Sequence, residues 1–205
     1  MKKTNTYQKI LDGAIRMFAE HGYEGTIMDE LAAQYGVNKA SIYYHHKDKA
    51  TLYEHALIAL FTPIVDAVVK SVEAESDPVK KLEMHIETFA QRSAEHPDFA
   101  RILMREMASG GINMPMRARE QMLRILFTLN QTLQSGESQG VFKPTNPLIL
   151  HFMIIGTINL FIASIPFRKN LPINDECSQL QNSNIEPAAE QISKTIITSL
   201  LIKAP

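Results

Sequence analysis

Residues 22–52 combine glycine turns with two short amphipathic helical segments, and this pattern restricts the fold of the N-terminal region more than any other feature. Gly22 follows a segment, 7–21, whose apolar residues recur every three or four positions, as they do on one face of a helix. Glycine adopts positive φ without a Cβ penalty, so Gly22 predicts a helix end and Gly36 predicts a tight turn. Helices joined in this way are typical of a helix-turn-helix.

Residues that commonly cap helices stand where this arrangement needs them. Asn38 predicts the start of a third helix that ends near residue 46, and Asp48 predicts the start of a fourth helix that reaches about residue 72. Thr26 is expected to cap the second helix, with Asp29 three residues later in an imperfect capping box. The segment 38–46 is therefore the candidate recognition helix.

The rest of the chain also has helical periodicity, interrupted by proline and glycine. Further helices are predicted near 78–95, 97–108, 115–138, 147–165 and 186–203. The segment 166–185 is rich in Asn, Pro, Ser and Gln, and we expect a surface loop there. No segment alternates with strand periodicity for long. We therefore predict an all-α protein with about nine helices.

Composition limits the classes of protein that remain. The chain has 205 residues and a formal net charge of −1, so no overall basic character points to nucleic acid. Cys177 is the single cysteine, which excludes a disulfide within the chain and favours a reducing cytoplasm. The N-terminus is not followed by the apolar stretch of a signal peptide, and we expect a cytoplasmic protein.

One segment, 148–167, raises the question of a membrane because it has no Asp, Glu, Lys or Arg over a length close to that of a membrane span. Polar residues interrupt it, and Pro166 predicts its end. A helix buried on two sides within a soluble assembly explains the same pattern. We therefore expect no membrane association.

The start of the candidate recognition helix has the side chains that a major-groove reader needs. Lys39 can donate to guanine O6 and N7 or to a phosphate, Ala40 permits close approach, and Ser41 can bond to bases or phosphate. Ile42 is expected to face inward. The following polar and aromatic residues form a strip of donors suited to phosphates: Tyr43, Tyr44, His45, Lys47 and Lys49. Tyrosines at helical spacing are also common in cores, so these residues alone leave both interpretations open.

The segment ILDGAIRMFAEHGYEGTIMDELAAQYGVNKASIYYHHKDKATL closely resembles the N-terminal domain of the TetR family of bacterial transcriptional regulators. The matching motifs are IL-x-x-A-x-x-x-F-x-x-x-G-Y, L-A-x-x-x-G-V, K-x-S-I-Y and K-x-K-x-x-L. The resemblance implies a DNA-binding domain at 1–52 and an effector-binding and dimerisation domain at 53–205. It implies contact with bases or phosphates by Lys39, Ala40, Ser41, Tyr43 and His45, and with phosphates by Lys49 and the residues around Thr26 and Ile27.

Two positions depart from the family pattern. His46 stands where an aromatic or aliphatic core residue is usual, and we expect it to be packed or partly exposed, without reading bases. Gly13 replaces a typical alanine, at a cost of about 1 kcal/mol in helix propensity.

The resemblance also implies a homodimer and therefore a pseudo-palindromic operator in double-stranded DNA. Two apolar helices, one at 148–167 and one at 186–203, would supply the interface as a four-helix bundle, although they could instead complete a monomer core. The interface residues predicted on them are Phe152, Ile155, Asn159, Ile192, Ile196 and Leu200.

A small, mostly hydrophobic effector is expected in the larger domain. The predicted lining residues are Met84, His85, Phe89, Met104, Met107, Met122, Leu126, Phe127 and His151. Each of these residues also fits an ordinary helical core. A metal site from His85, His96 and His151 would need a convergence that spacing cannot show, and we expect neither a metal nor another cofactor.

These features predict a repressor that an effector releases from its operator. The alternatives are an activator of the same fold and a DNA-binding or interaction protein without a ligand. No catalytic motif is present, so an enzyme is not expected.

Overall fold

The computed structural model describes residues 6–171 and 184–202, and these residues form ten α-helices without a β-strand. The helices are α1 (Thr6–Gly25), α2 (Met28–Gln34), α3 (Lys39–His45), α4 (Lys49–Glu73), α5 (Pro78–Glu95), α6 (Pro97–Ala108), α7 (Met116–Ser138), α8 (Pro147–Ala163), α9 (Ile165–Lys169) and α10 (Ile185–Leu200). The all-α prediction is confirmed. Nine of these helices correspond to the nine predicted segments.

The tenth helix, α9, begins at Ile165 and extends into the segment 166–185 that was predicted to be a loop, so that prediction was wrong at its start. Pro166 stands in the first turn of α9. Proline is favoured there because the first-turn N–H groups of a helix have no helical partner and its φ is already suitable. Residues 172–183 of the predicted loop, which include Cys177, lie outside the described residues.

The caps of α3 and α4 agree with the sequence. The Asn38 Oδ1 atom accepts from the Ala40 N–H at 2.8 Å, and the Asp48 Oδ1 atom accepts from the Thr51 N–H at 2.7 Å. The predicted Thr26 cap was wrong: α2 begins after Ile27 without a side-chain cap. Thr26 is buried and donates its hydroxyl to the Gly22 carbonyl at 2.8 Å, so its side chain fastens the preceding turn instead.

Both glycines that predicted chain reversals have positive φ. Gly22 has φ 72° and ψ 178°, which interrupts the helical backbone inside α1, and Gly36 has φ 56° in the turn between α2 and α3. Gly13 has a role in packing that its unfavourable helix propensity does not reveal. A Cβ atom there would lie 2.7 Å from Cγ of Tyr35, so glycine permits the close packing of this ring on α1.

The chain divides into two compact units, one formed by 1–63 with 101–121 and the other by 64–100 with 122–205. The first unit contains α1, α2 and α3, the beginning of α4, the end of α6 and the beginning of α7. Its core includes Ile10, Ala14, Phe18, Leu31 and Ile42, each with almost no exposed surface. The functional division at residue 52 stays a prediction.

The second unit is built on α5, which packs along α10 and also contacts α8. After α7, Phe142 is buried and pairs with Leu201 in an isolated antiparallel bridge, while the Lys143 N–H donates to the Leu200 carbonyl at 2.9 Å. Gly136 makes this possible, because a Cβ atom at Gly136 would overlap the Phe142 ring. The end of α10 is thus attached to the end of α7.

Among the described helices, α4 is long and apolar enough to cross a membrane by length and composition. Its buried residues Leu52, Ala56, Leu60 and Ile64 recur every four residues along the helix, as they do in the core helices of globular proteins. The segment 148–167 that raised this question in the sequence is a shorter helix, α8, followed by α9.

Candidate nucleic-acid interface

The N-terminal end of α3 presents three small or flexible side chains outward. Lys39 and Ala40 are exposed and Ser41 is partly exposed, while Ile42 has no exposed surface and anchors the helix. Since Asn38 caps the helix, the first turn is held in the geometry that a groove-reading helix needs. The predicted orientation of Ile42 is confirmed, and the three predicted base-reading residues lie together on the outer surface.

Aromatic side chains follow along the same helix. Tyr44 is 85% exposed and Tyr43 is 42% exposed, so both hydroxyl groups can reach a ligand. His45 is partly buried and packs edge-on against Tyr44, with ring centroids 5.1 Å apart, and against Tyr7 at 5.6 Å. These contacts limit the rotation of the His45 ring, which is a property of a positioned donor.

Lys39 makes an ion pair that the sequence spacing did not suggest. Its Nζ atom lies 2.5 Å from Oδ1 of Asp29 in the first turn of α2, and this hydrogen bond raises the pKa of Lys39. Both side chains are at least half exposed, at 50% for Lys39 and 67% for Asp29. The two helices of the helix-turn-helix are therefore joined by charge at the surface that the sequence assigns to DNA.

Lys49 is also bonded in the free protein. Its Nζ atom donates to the Glu24 carbonyl at 3.2 Å and lies 4.7 Å from the centroid of the Tyr23 ring. Lys47 is also exposed, and so is Ile27 at the start of α2. By contrast, the buried hydroxyl group of Thr26 is committed to Gly22, so only the backbone near Thr26 remains for a phosphate.

His46 is packed beneath this surface. It has no exposed area, stacks on Tyr7 with ring centroids 5.2 Å apart, and places Nδ1 2.9 Å from Nδ1 of His55 on α4. Burial, with the charges of His55 and His45, lowers the pKa of His46 to about 4. At neutral pH, His46 is a neutral packing residue that attaches the end of α3 to α4.

Two residues near the end of α6 fasten it to α1 and α4 within the first unit. Arg105 donates to two backbone carbonyls of α1, from Nε to Ala19 at 3.1 Å and from Nη2 to Glu20 at 2.6 Å. The Glu106 Oε1 atom accepts from the buried Tyr53 hydroxyl at 2.5 Å. Sequence analysis did not identify this attachment, because its partners are 53 to 86 residues apart in the chain.

The predicted effector residues are divided between the units. Met104 and Met107 are exposed in the first unit. The second unit contains the other seven, of which His85, Phe89 and His151 are buried, Met84, Met122 and Leu126 are partly buried, and Phe127 is 60% exposed. The nine residues therefore range from buried to exposed, and their assignment to one effector site stays a prediction.

The two histidines of this set are both buried, His85 on α5 and His151 on α8. Burial, with the nearby His151, lowers the pKa of His85 to about 3, and burial lowers that of His151 to about 4. Both His85 ring nitrogens and the Asn159 Oδ1 atom lack hydrogen-bond partners among the described residues. Among residues 6–171 and 184–202, no group of three or more His, Cys, Asp or Glu residues is placed to hold a metal.

The predicted dimer residues on α8 and α10 differ in exposure, and their assignment to an interface stays a prediction. Ile155, Asn159, Ile196 and Leu200 are buried within the subunit. Ile192 is partly buried and Phe152 is 57% exposed. The large apolar residues that α8 exposes are Leu148, Ile149, Phe152, Met153 and Leu160, and the last four lie on one stripe. A helix that is apolar on all sides does not reveal from its sequence which side is in the core.

Comparison with known proteins agrees with this geometry. Residues 10–56 match the family model of bacterial regulatory proteins of the tetR family, and residues 78–171 match a tetracyclin repressor-like C-terminal domain. The chain belongs to the TetR family.

Two curated relatives are similar over part of the chain, and both are biofilm operon icaADBC HTH-type negative transcriptional regulators IcaR. The protein from Staphylococcus epidermidis is 35% identical over 63 residues, which are 31% of this chain and 34% of the relative. That from Staphylococcus aureus is 43% identical over 53 residues, which are 26% and 28% of the two chains. The matched segment thus spans about a third or less of these relatives.

Solved structures are similar over nearly the whole chain. The ketosteroid transcriptional regulator KstR2 of Mycobacterium tuberculosis has a TM-score of 0.76 at 16% identity, covering 99% of this chain and 98% of that one. The regulator FadR from Bacillus subtilis, in complex with stearoyl-CoA, has a TM-score of 0.69 at 18% identity, covering 94% and 98%. At these identities the likeness concerns the fold.

Proposed function

We propose that this protein is a repressor that binds a pseudo-palindromic operator as a homodimer and is released by a small, mostly hydrophobic effector. The observation that carries the DNA-binding part is the exposed start of α3, where Lys39 and Ala40 project outward, Ser41 is partly exposed and Ile42 is fully buried. Family membership and the similarity to the IcaR repressors support repression as the direction of control.

In this proposal the residues of the surface have separate tasks. Lys39, Ala40 and Ser41 meet base edges, where the pattern of donors and acceptors differs between base pairs. Tyr43, Tyr44, His45, Lys47 and Lys49 contact phosphates and fix the position of α3. Lys49 reaches a phosphate by giving up its bond to the Glu24 carbonyl.

Dimerisation is supported by the exposed stripe on α8. Ile149, Phe152, Met153 and Leu160 recur at spacings of three, one and seven residues and lie on one face of the helix, with exposures between 50% and 61%. A contiguous apolar face of this kind is a common feature of protein interfaces. Two-fold symmetry would then place two copies of α3 at equivalent half-sites.

Release by an effector is proposed to act through α6. Arg105 and Glu106 connect the end of α6 to α1 and to Tyr53 on α4, so a displacement of α6 would be transmitted to the helices that support α3. An activator of the same fold would use the same contacts, and the position of the operator relative to the promoter decides between the two.

Selection of duplexes from a random DNA pool tests the DNA-binding part. One palindromic sequence is expected, and equal retention of all sequences would contradict the proposal. Lys49→Ala should weaken binding to every duplex and reduce the salt dependence, whereas Lys39→Ala and Ser41→Ala should change the base preference. Lys70→Ala, which removes a lysine from the second unit, is the charge-matched control and should leave both unchanged.

Native mass spectrometry of the purified protein tests the effector. A retained small molecule that also weakens binding to the selected palindrome is the expected result. If ligands that raise the melting temperature never change DNA affinity, the protein represses without an effector.

A further inference from the structure

We propose that Asp29 is a specificity-determining residue, which reduces binding to non-cognate DNA by holding the Lys39 ammonium in an ion pair. This inference rests on the proposed DNA-binding function and deepens it. Lys39 is the first residue of α3 and Asp29 lies in the first turn of α2, with Nζ and Oδ1 2.5 Å apart. The pair therefore spans the two helices at the surface proposed to meet DNA.

The exposure of both partners allows DNA to compete for this pair. Lys39 is 50% exposed and Asp29 is 67% exposed, so a phosphate or base edge can approach the ammonium group while the pair is intact. Exposed ion pairs contribute little to folding stability. The pair can consequently be exchanged without disrupting the helix-turn-helix, whose turn is held separately by the Asn38 cap and the buried Ile42.

The exchange has a different result on cognate and non-cognate DNA. On a non-cognate duplex, Lys39 would leave one anion, Asp29, for another, a phosphate, and gain little. On a cognate duplex, guanine offers O6 and N7 together as acceptors, and this contact replaces the ion pair. The Asp29 carboxylate also repels neighbouring phosphates. Asp29 thus imposes a cost on every duplex that only the correct base repays in full.

The test compares Asp29→Asn with Glu30→Gln on two duplexes, the palindrome obtained by selection and a scrambled sequence of equal length. Glu30 is the matched control: it is exposed, lies in the same first turn of α2, and its substitution changes the net charge equally. Within the described structure Glu30 has no ion pair with Lys39. Any loss of a helix-terminus charge effect is therefore common to both variants.

Asp29→Asn is expected to raise the affinity for the scrambled duplex about 3- to 10-fold more than Glu30→Gln does. Its salt dependence should become steeper by about 0.9 in the slope of log K against log salt, the amount expected for one additional phosphate contact. Affinity for the palindrome should rise less, so the ratio of cognate to non-cognate affinity falls. In a Lys39→Gln background, the difference between the two variants should disappear.

The inference would be overturned if Asp29→Asn and Glu30→Gln changed the affinity for the scrambled duplex equally while Lys39 is present. It would also be overturned if their difference persisted after Lys39→Gln. A decrease in non-cognate affinity on Asp29→Asn would overturn it as well. Failure of the unmodified protein to select any sequence is a separate outcome, because it contradicts the proposed function itself. Circular dichroism of each variant shows whether the helices are retained, and Asp29→Ala provides a second substitution that removes the same charge.

Discussion

The buried hydrogen bond between Tyr53 and Glu106 gives the most direct prediction about stability. Tyr53 is 2% exposed and Glu106 is 4% exposed, and the Glu106 Oε2 atom has no hydrogen-bond partner among the described residues. Burial and the bond to Glu106 raise the pKa of Tyr53, so its hydroxyl group is a proton donor at all ordinary pH values. The carboxylate therefore depends on one tyrosine O–H.

Tyr53→Phe removes this donor and keeps the ring. The centroid of that ring lies 4.6 Å from the centroid of the Phe18 ring and 5.0 Å from that of the Tyr23 ring. The packing loss is small, and the cost is that of a buried carboxylate left without a partner, about 2–4 kcal/mol. For a chain of this size, this corresponds to a decrease of roughly 4–15 °C in melting temperature. Tyr44→Phe, at a position 85% exposed, is the matched control and should change stability by less than about 0.5 kcal/mol.

Thermal unfolding at one fixed protein concentration measures the difference, since association would otherwise change the melting temperature. Glu106→Leu in the Tyr53→Phe background should recover part of the loss, because the unpartnered charge is then absent. A Tyr53→Phe melting temperature within about 1 °C of the unmodified protein would refute the argument. So would full additivity of the two substitutions, because residues that bond to each other should couple.

Three further predictions follow from burial and packing. Folding holds the pKa of His46 at about 4, below the value of about 6.5 in the unfolded chain, so the unfolded state binds more protons between these pH values. The free energy of unfolding should therefore fall as the pH is lowered from 6.5 to 4, by about 3 kcal/mol for His46 alone. Urea titrations at several pH values measure this change, and a flat profile contradicts the prediction. Gly136→Ala should destabilise by about 1–3 kcal/mol because its Cβ overlaps Phe142, whereas Gly156→Ala, where nothing lies within 4 Å, should not destabilise the subunit; equal melting temperatures would show that Phe142 yields without cost. Phe152→Asp should shift sedimentation toward the monomer, while Phe167→Asp, 68% exposed on α9, should not; a dimer that tolerates Phe152→Asp excludes the α8 stripe as its interface.

The extent to which the sequence predicts this structure depends on how local each signal is. Helix periodicity, the Asn38 and Asp48 caps and the positive φ of Gly22 involve neighbours along the chain, and all were predicted correctly. The pairs Asp29–Lys39 and Tyr53–Glu106 need the tertiary fold, which periodicity does not provide. The Thr26 prediction failed because its hydroxyl group has a competing acceptor, the Gly22 carbonyl, that the glycine turn brings within reach.

The state of the lysines in the free protein explains how a chain with a net charge of −1 could discriminate among DNA sequences. Lys39 is paired with Asp29, and Lys49 donates to the Glu24 carbonyl and packs on Tyr23. Both ammonium groups therefore have partners within the free protein. In the proposed complex, these contacts are exchanged for phosphate or base contacts. Affinity for non-cognate DNA is almost entirely electrostatic. Each of these two lysines therefore contributes less to it than a lysine that has no partner in the free protein. The base contacts proposed for Ala40 and Ser41 are not reduced in the same way, since neither residue gives up a charged partner. Under this proposal, the ion pair and the Glu24 bond lower the affinity for non-cognate DNA more than the affinity for the operator, and discrimination increases as a result.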